Sequence, residues 1–459
     1  MTNHAIGGWI RLFLGLSCLW SANVWAMAAF VDGEVIVKLS PGTTLERARS
    51  ELEAAGNVSV VEALVPDLGI FLARTRSRES ADSAVARLRS TNAVQYAQLN
   101  HRVQWRQVVP NDEQFTRQWS LSNLKTGADI RAPLAWDAGT GGKDRDGNEL
   151  VIAIVDGGVD ITHKDLVENI WINKGEIPGN GIDDDGNGFI DDVNGWNAFA
   201  KNGKIPPENH GTHVAGIAGA RGNNGFGVAG VNWEVKILSV AAASSSTAVV
   251  VAGYNYVLTQ KKLWLETAGK KGANIVVTNS SFGVNEADCT SKDFPLWNDI
   301  YNAMGSVGIL SAAATANANV DVDVKGDVPT GCSSEYLISV TNTDERDARF
   351  PQSGYGKKHI HLGAPGTNIL STTPANSVGI KTGCSMSSPH VAGAVAFLHS
   401  VGSREFRDLV VRDPGKDALA LKSVLLSSTE RVPSLRDITV SGGRLNLARA
   451  GEALGRFPK

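Results

Sequence analysis

Six apolar residues in a row, Leu150 to Val155, run into Asp156 and stop at Gly157 and Gly158. An unbroken apolar run of that length, closed by glycines, predicts a parallel strand buried on both faces. Similar runs recur in "VKILSVAAA" (235–243) and "NIVVTNSSFG" (274–283), separated by longer stretches of helical spacing such as "TAVVVAGYNYVLTQKK" (247–262). Strand, helix, strand in this rhythm predicts an α/β fold, a doubly wound, mostly parallel sheet. "HGTHVAGIAGA" from His210 and "HVAGAVAFLHSV" from His390 are small and apolar at helical spacing, and predict helices packed closely on that sheet.

The first hundred residues are patterned differently. Residues 1–26 have a short polar start, an apolar core "LFLGLSCLW" and small residues in "VWAMAA", the layout of a signal peptide cut after Ala26 or Ala28. A membrane anchor is the alternative, but the apolar run falls short of the roughly 20 residues a span requires. From about Phe30 to Val108 the pattern reads strand, helix, strand, strand, helix, strand, with the first helix ending at Gly56. That order predicts a small α+β ferredoxin-like sandwich. The expected domains are therefore 1–26, 27–108 and 109–459.

Composition narrows the function. A chain that is 42% hydrophobic and 20% charged, with a net charge of -3 and no long basic or acidic run, has the make-up of a globular protein. It offers no electrostatic case for binding nucleic acid, nor for a membrane once the signal is removed.

Three residues carry candidate chemistry. Asp156 stands at the carboxyl end of a strand, where open α/β sheets build their sites. His210 precedes a helix. Ser385, in "GCSMSSPHVAG" (383–393), stands at a helix start with Pro389 expected in the first turn. A hydroxyl there lies near free N–H donors and the positive end of the helix dipole, which suits a nucleophile whose attack creates an oxyanion. Taken alone, Ser385 could instead be an N-cap on an ordinary helix. A nucleophilic serine needs a base and an orienting carboxylate, and His210 and Asp156 are of those types.

In the order Asp156, His210, Ser385, and in their flanking residues, these motifs resemble the subtilisin-like serine endopeptidases, the subtilases, over about Pro110 to Ala453. The resemblance implies a secreted enzyme, extracellular or periplasmic, that hydrolyses protein or peptide substrates through an acyl-enzyme on Ser385. It implies that residues 27–108 are an inhibitory propeptide, an intramolecular inhibitor cut away between Asn100 and Asp112. By the same resemblance Ser281, Phe282 and Gly283 wall the substrate cleft, and Asn317, in "AATAN", supplies an oxyanion donor, with Asn319 as the register alternative. His163 and His213 are implied to be structural.

Two positions depart from the family pattern. Ala316 replaces the usual Gly, and Cys384 replaces the usual Thr, which weakens any hydroxyl help to the oxyanion and raises Cys384 as an alternative nucleophile. They are the support for a different function, a secreted binding protein that keeps the subtilase fold and has lost catalysis.

Spacing also points to a metal. Asp183, Asp185, Asn187, the Phe189 carbonyl and Asp191 fall at positions 1, 3, 5, 7 and 9 of an EF-hand-like calcium loop, with Gly188 at position 6. Asn194 stands where the closing Glu belongs, so Asp192 is the candidate replacement. The alternative is a solvated acidic loop. A second structural calcium, on Asp165 and Asn224, is implied by the resemblance only. "KDRDGNE" (143–149) reads as a tight turn or, through Asp144 and Asp146, a metal loop. Beyond the signal three cysteines remain. Cys289 and Cys332 lie in loop-like sequence and are the expected disulfide, two free thiols being the alternative.

Overall fold

A computed structural model of the chain describes residues 30–54, 57–76, 79–101, 108–243 and 246–455. The expected signal over 1–26, residues 102–107 of the stretch expected to be cut, and Gly56 lie outside the described residues. The chain divides into two compact units, 1–106 and 107–459.

In the first unit, β1 (Phe30–Lys38), α1 (Leu45–Ala54), β2 (Val58–Val65), β3 (Ile70–Thr75), α2 (Ala81–Arg89) and β4 (Tyr96–His101) follow the βαββαβ order. The four strands form one antiparallel sheet in the order β2-β3-β1-β4. Alternate strand residues Val35, Val37, Phe71 and Ala73 point to one face, where Ala48 and Leu52 of α1 and Ala84 and Leu88 of α2 cover them.

The second unit begins with α3 (Ala132–Trp136), β5 (Val151–Asp156), β6 (Gly195–Asn197), α4 (Asn209–Gly219) and β7 (Lys236–Ala241). It continues through α5 (Thr247–Glu266), β8 (Ile275–Ser280), β9 (Val284–Asn285), α6 (Pro295–Ser306), β10 (Leu310–Ala314), α7 (Val322–Lys325) and β11 (Asp327–Val328). Then come β12 (Leu337–Thr343), β13 (Leu362–Pro365), β14 (Ile369–Thr373), β15 (Ser377–Lys381), α8 (Cys384–Val401) and α9 (Arg404–Arg412). The last elements are α10 (Pro414–Ser427), β16 (Glu430–Arg431), β17 (Gly443–Arg444) and α11 (Leu447–Gly455).

Among the described residues nine strands make the central sheet, in the order β16-β17-β13-β12-β10-β8-β5-β7-β6, parallel throughout except for the β16–β17 edge pair. Every residue of β5 is buried. Ile152 and Ile154 join one core with Val214 and Ala215 of α4 and Val391 and Val395 of α8. Val151, Ala153 and Val155 join a second core with Tyr254 and Val257 of α5 and Tyr301 and Met304 of α6. Helices on both faces explain why this strand reads as a continuous apolar run rather than an alternating one. α4 and α8, the two helices rich in small residues, share the first face.

Candidate active site

β5 delivers Asp156 at its carboxyl end, and α4 delivers His210 as its second residue. Glu208 caps α4 by accepting the Gly211 N–H at 2.7 Å, which leaves the His210 ring free to turn toward the strand. Gly211 makes the close approach: a Cβ there would lie 2.1 Å from the Gly158 carbonyl oxygen and 3.1 Å from Asp156 Cβ. In that space His210 Nδ1 lies 3.0 Å from each of Asp156 Oδ1 and Oδ2. Burial opposes a charge on His210, but the hydrogen bond and charge of Asp156, helped by Glu208, outweigh it and raise its pKa above the ordinary histidine value.

α8 carries Ser385 as its second residue, so the helix starts at Cys384 and Pro389 falls in the second turn, not the first as expected. A proline there removes the N–H that would bond the carbonyl four residues back, that of Ser385. Ser281 Oγ takes over, donating to the Ser385 carbonyl at 2.9 Å. In return Ser385 Oγ donates to the Ser281 carbonyl at 3.4 Å, and among the described residues it makes no hydrogen bond to His210. Side-chain bonds of this kind are often unformed before substrate arrives.

Ser281, Phe282 and Gly283 leave the end of β8 and run into β9, which pairs antiparallel with β11. Gly283 packs directly on that pair, since a Cβ there would lie 2.5 Å from the Val328 carbonyl oxygen. Together with Ala316, Asn317, Asp327 and Ser385 these residues line a cleft of about 70 Å3. A larger cavity of about 670 Å3, between Phe115, Trp119, Leu124 and Arg346, includes none of them.

Asn317 accepts the Cys384 N–H on Oδ1 at 2.8 Å. Asn319 is engaged elsewhere, accepting from Arg349 at 2.8 Å. Ala316 has no left-handed backbone that would demand glycine, and its N–H donates to Asp327 at 3.1 Å. The Cys384 thiol is buried against the Ala316 carbonyl, 3.6 Å away, and burial pushes its pKa up to about 12. A thiol held protonated and turned inward is a poor nucleophile.

The histidines expected to be structural make backbone contacts. His163 Nε2 lies 3.0 Å from the Ser377 carbonyl, and His213 Nε2 lies 3.1 Å from the carbonyls of Ile369 and Gly379. Burial pushes His213 down to about 4.

The acidic loop is arranged differently from the linear series its spacing predicts. Asp183 and Asp185 gather with Glu176, which lies upstream of the motif, so that one carboxylate oxygen of each lies within 4.8 Å of the others. Asp191 turns away, accepting the N–H groups of Gly179 and Gly181. Asn187 Oδ1 accepts the Phe189 N–H, while the Phe189 ring packs on Trp196 and Tyr256. Asp192 is fully buried and anchors the loop to α5 by accepting from Tyr256 and Gln260, and burial pushes it up to about 6. Three clustered carboxylates are hard oxygen donors that could hold a metal ion.

Asp165 and Asn224 face each other, Asn224 Nδ2 donating to Asp165 Oδ1 at 2.9 Å, and burial pushes Asp165 up to about 7. Asp112, which the motifs did not single out, adds its charge to Asp165, and among the described residues its buried Oδ1 has no hydrogen-bond partner. In "KDRDGNE" Asp144 closes the turn by accepting from Asp146 and Asn148, and Arg407 pairs with Asp144 and Asp146. Cys289 and Cys332 are disulfide-bonded.

Residues 147–431 match the subtilase family of the S8 peptidases, and residues 24–100 match the fervidolysin N-terminal prodomain. The chain is 31% identical over 322 residues to subtilisin-like protease 1 of Plasmodium vivax, covering 65% of this chain and 46% of that protein. It is 28% identical over 376 residues to an extracellular basic protease of Dichelobacter nodosus, covering 75% and 58%. The chain thus spans about half the length of these curated relatives. A protease structure from Pseudoalteromonas arctica, 24% identical, superposes with a TM-score of 0.54 over 76% of this chain and all of that one, which bears on the fold.

Proposed function

The chain belongs to the subtilase family, and from that premise we propose that it is an exported serine endopeptidase acting through an acyl-enzyme on Ser385. The observation that carries this is the grip of Asp156 on His210, both carboxylate oxygens within 3.0 Å of Nδ1. A hydrogen-bonded Nδ1–H leaves Nε2 as the basic nitrogen of the ring, the form a general base requires.

Ser385 Oγ attacks the peptide carbonyl while His210 Nε2 takes its proton. The resulting oxyanion is held by Asn317 Nδ2 and the Ser385 N–H at the start of α8, donors already in place before charge develops. His210 returns the proton to the leaving amine, and water then releases the acyl group by the same steps. Protein or peptide chains are the substrates, laid along the 281–283 wall where backbone groups pair with an extended strand. The first unit acts as the inhibitor that is cut away. Extracellular relatives support export, and no helix among the described residues is long and apolar enough to cross a membrane.

Calcium is the ion proposed for Glu176, Asp183 and Asp185, with a purely stabilising part, since a bound ion favours only states that hold it. Asp165 and Asn224, with Asp112 beside them, are the second proposed position.

Expression of the full chain beside S385A tests the proposal. The native protein should lose its first unit, begin between residues 101 and 112, and react with a fluorophosphonate at Ser385, while the variant stays uncut. If both remain intact and the native protein ignores the reagent, the binding-protein reading replaces this one.

A further inference from the structure

We propose that Asp327 makes the cleft beside Ser385 a receptor for a cationic side chain, so that the enzyme cuts after lysine or arginine. The proposal deepens the protease reading and rests on it. Asp327 opens β11, opposite Asn285 of β9, and so lies across the cleft from the 281–283 wall. It is 1% exposed. Three groups donate to its carboxylate: Thr315 Oγ1 at 3.2 Å, the Ala316 N–H at 3.1 Å, and Thr330 Oγ1. All three end on Oδ2, and none is cationic. Among the described residues the charge has no counter-ion, and Oδ1 is left for whatever enters the cleft.

A buried carboxylate without a cation is unfavourable unless something pairs with it. Burial pushes Asp327 up to about 6, so at neutral pH and above it is ionised. The residue whose carbonyl meets Ser385 and Asn317 is the one whose side chain reaches this cleft. An ammonium or guanidinium there forms a charge-assisted hydrogen bond to Oδ1 in surroundings that screen poorly. A neutral side chain leaves the oxygen unpaired, and a carboxylate is repelled. The family motifs did not single this residue out, because "KGDVPTGC" reads as an ordinary turn and only the pairing of β9 with β11 brings Asp327 to the cleft.

The test is a series of peptide substrates differing only in the residue before the scissile bond, assayed with the matured native protein. Lysine and arginine should exceed phenylalanine and leucine in kcat/KM by about 10⁴-fold, the scale on which a site rejects a side chain that leaves its buried polar group unpaired. In Asp327→Asn that ratio should fall toward unity while fluorophosphonate still labels Ser385, and Asp327→Ser serves if the Asn variant does not fold. Butylguanidinium should compete with substrate in the native protein, which needs no variant. Labelling and cleavage with a preference for neutral residues, or an unchanged ratio in the folded variant, overturns the proposal and leaves the protease reading standing. Neither labelling nor cleavage of any substrate overturns both.

Discussion

Asn317 and Cys384 are joined by one hydrogen bond, from the Cys384 N–H to Asn317 Oδ1 at 2.8 Å. The bond fixes which end of the amide does what: Oδ1 is occupied, so Nδ2 is the end free to meet an oxyanion next to Ser385. N317A should therefore lower kcat by about 10²- to 10³-fold, the range seen when the related subtilisin loses this donor. KM should change little, because the donor meets charge only in the transition state. Steady-state kinetics on folded variant protein checks this, and a fall confined to KM would point to substrate positioning instead.

The pH profile follows from the Asp156–His210 pair. In the proposed mechanism His210 must be neutral to accept the Ser385 proton, and its pKa is raised, chiefly by Asp156 acting against burial. Activity should then fall as pH drops through a value above the ordinary histidine pKa of about 6.5, and be regained above it. D156N removes the charge that raises it, so the acid limb should move to lower pH. The same variant should lose about 10⁴-fold in kcat, since the tautomer is no longer fixed. A kcat/KM profile of both proteins from pH 4 to 10 measures the two effects together.

The legible parts of the site are those that a buried strand or a tightly packed helix imposes on neighbouring residues. Asp156 follows a run that must be apolar because both faces of β5 are covered, and His210 and Ser385 head helices whose small residues allow close packing. Long-range pairing is what local pattern could not supply. Glu208 looks like any polar loop residue until its carboxylate caps α4. Glu176 joins Asp183 and Asp185 only because the loop folds back on itself, its Oε1 accepting the N–H groups of Asp184 and Asp185. Ser385 stands at the start of α8 as its motif suggests, but the helix begins a turn earlier than Pro389 implies. Ser281, more than a hundred residues away, supplies the donor that makes a second-turn proline tolerable.

Chelation tests the calcium proposed for the acidic loop. A ligand present at 100 times its Kd adds about 2.7 kcal/mol to the state that binds it, so chelation should lower Tm by several degrees, and added calcium should restore it. Glu176 also accepts three backbone N–H groups, at Asp184, Asp185 and Asp191, so E176Q destabilises the loop with or without an ion. The informative quantity is the calcium-dependent increment in Tm. E176Q and D183N should abolish it, whereas D191N, whose carboxylate faces Gly179 and Gly181, should keep most of it. Scanning calorimetry with and without chelator resolves the three variants.

The Cys289–Cys332 disulfide does more than close a loop. Cys289 follows β9 and Cys332 follows β11, so the bond staples together the strand pair that frames the cleft beside Ser385. The two cysteines are 43 residues apart, and the chain-entropy account of a cross-link that long gives about 4 kcal/mol. Replacing both by serine should lower Tm by several degrees, more than replacement of the unpaired Cys384 thiol by serine, which breaks no cross-link. The double variant should also raise KM for peptides, because β9 and β11 lose the tie that keeps Gly283 packed on the Val328 carbonyl. Its kcat should stay near the native value, since the Asp156–His210 pair and the start of α8 lie on other elements. Thermal unfolding and peptide kinetics on the same preparation separate the two contributions. A lowered Tm with unchanged KM would mean that β9 and β11 hold the cleft without the cross-link, and that the disulfide acts on the unfolded chain alone.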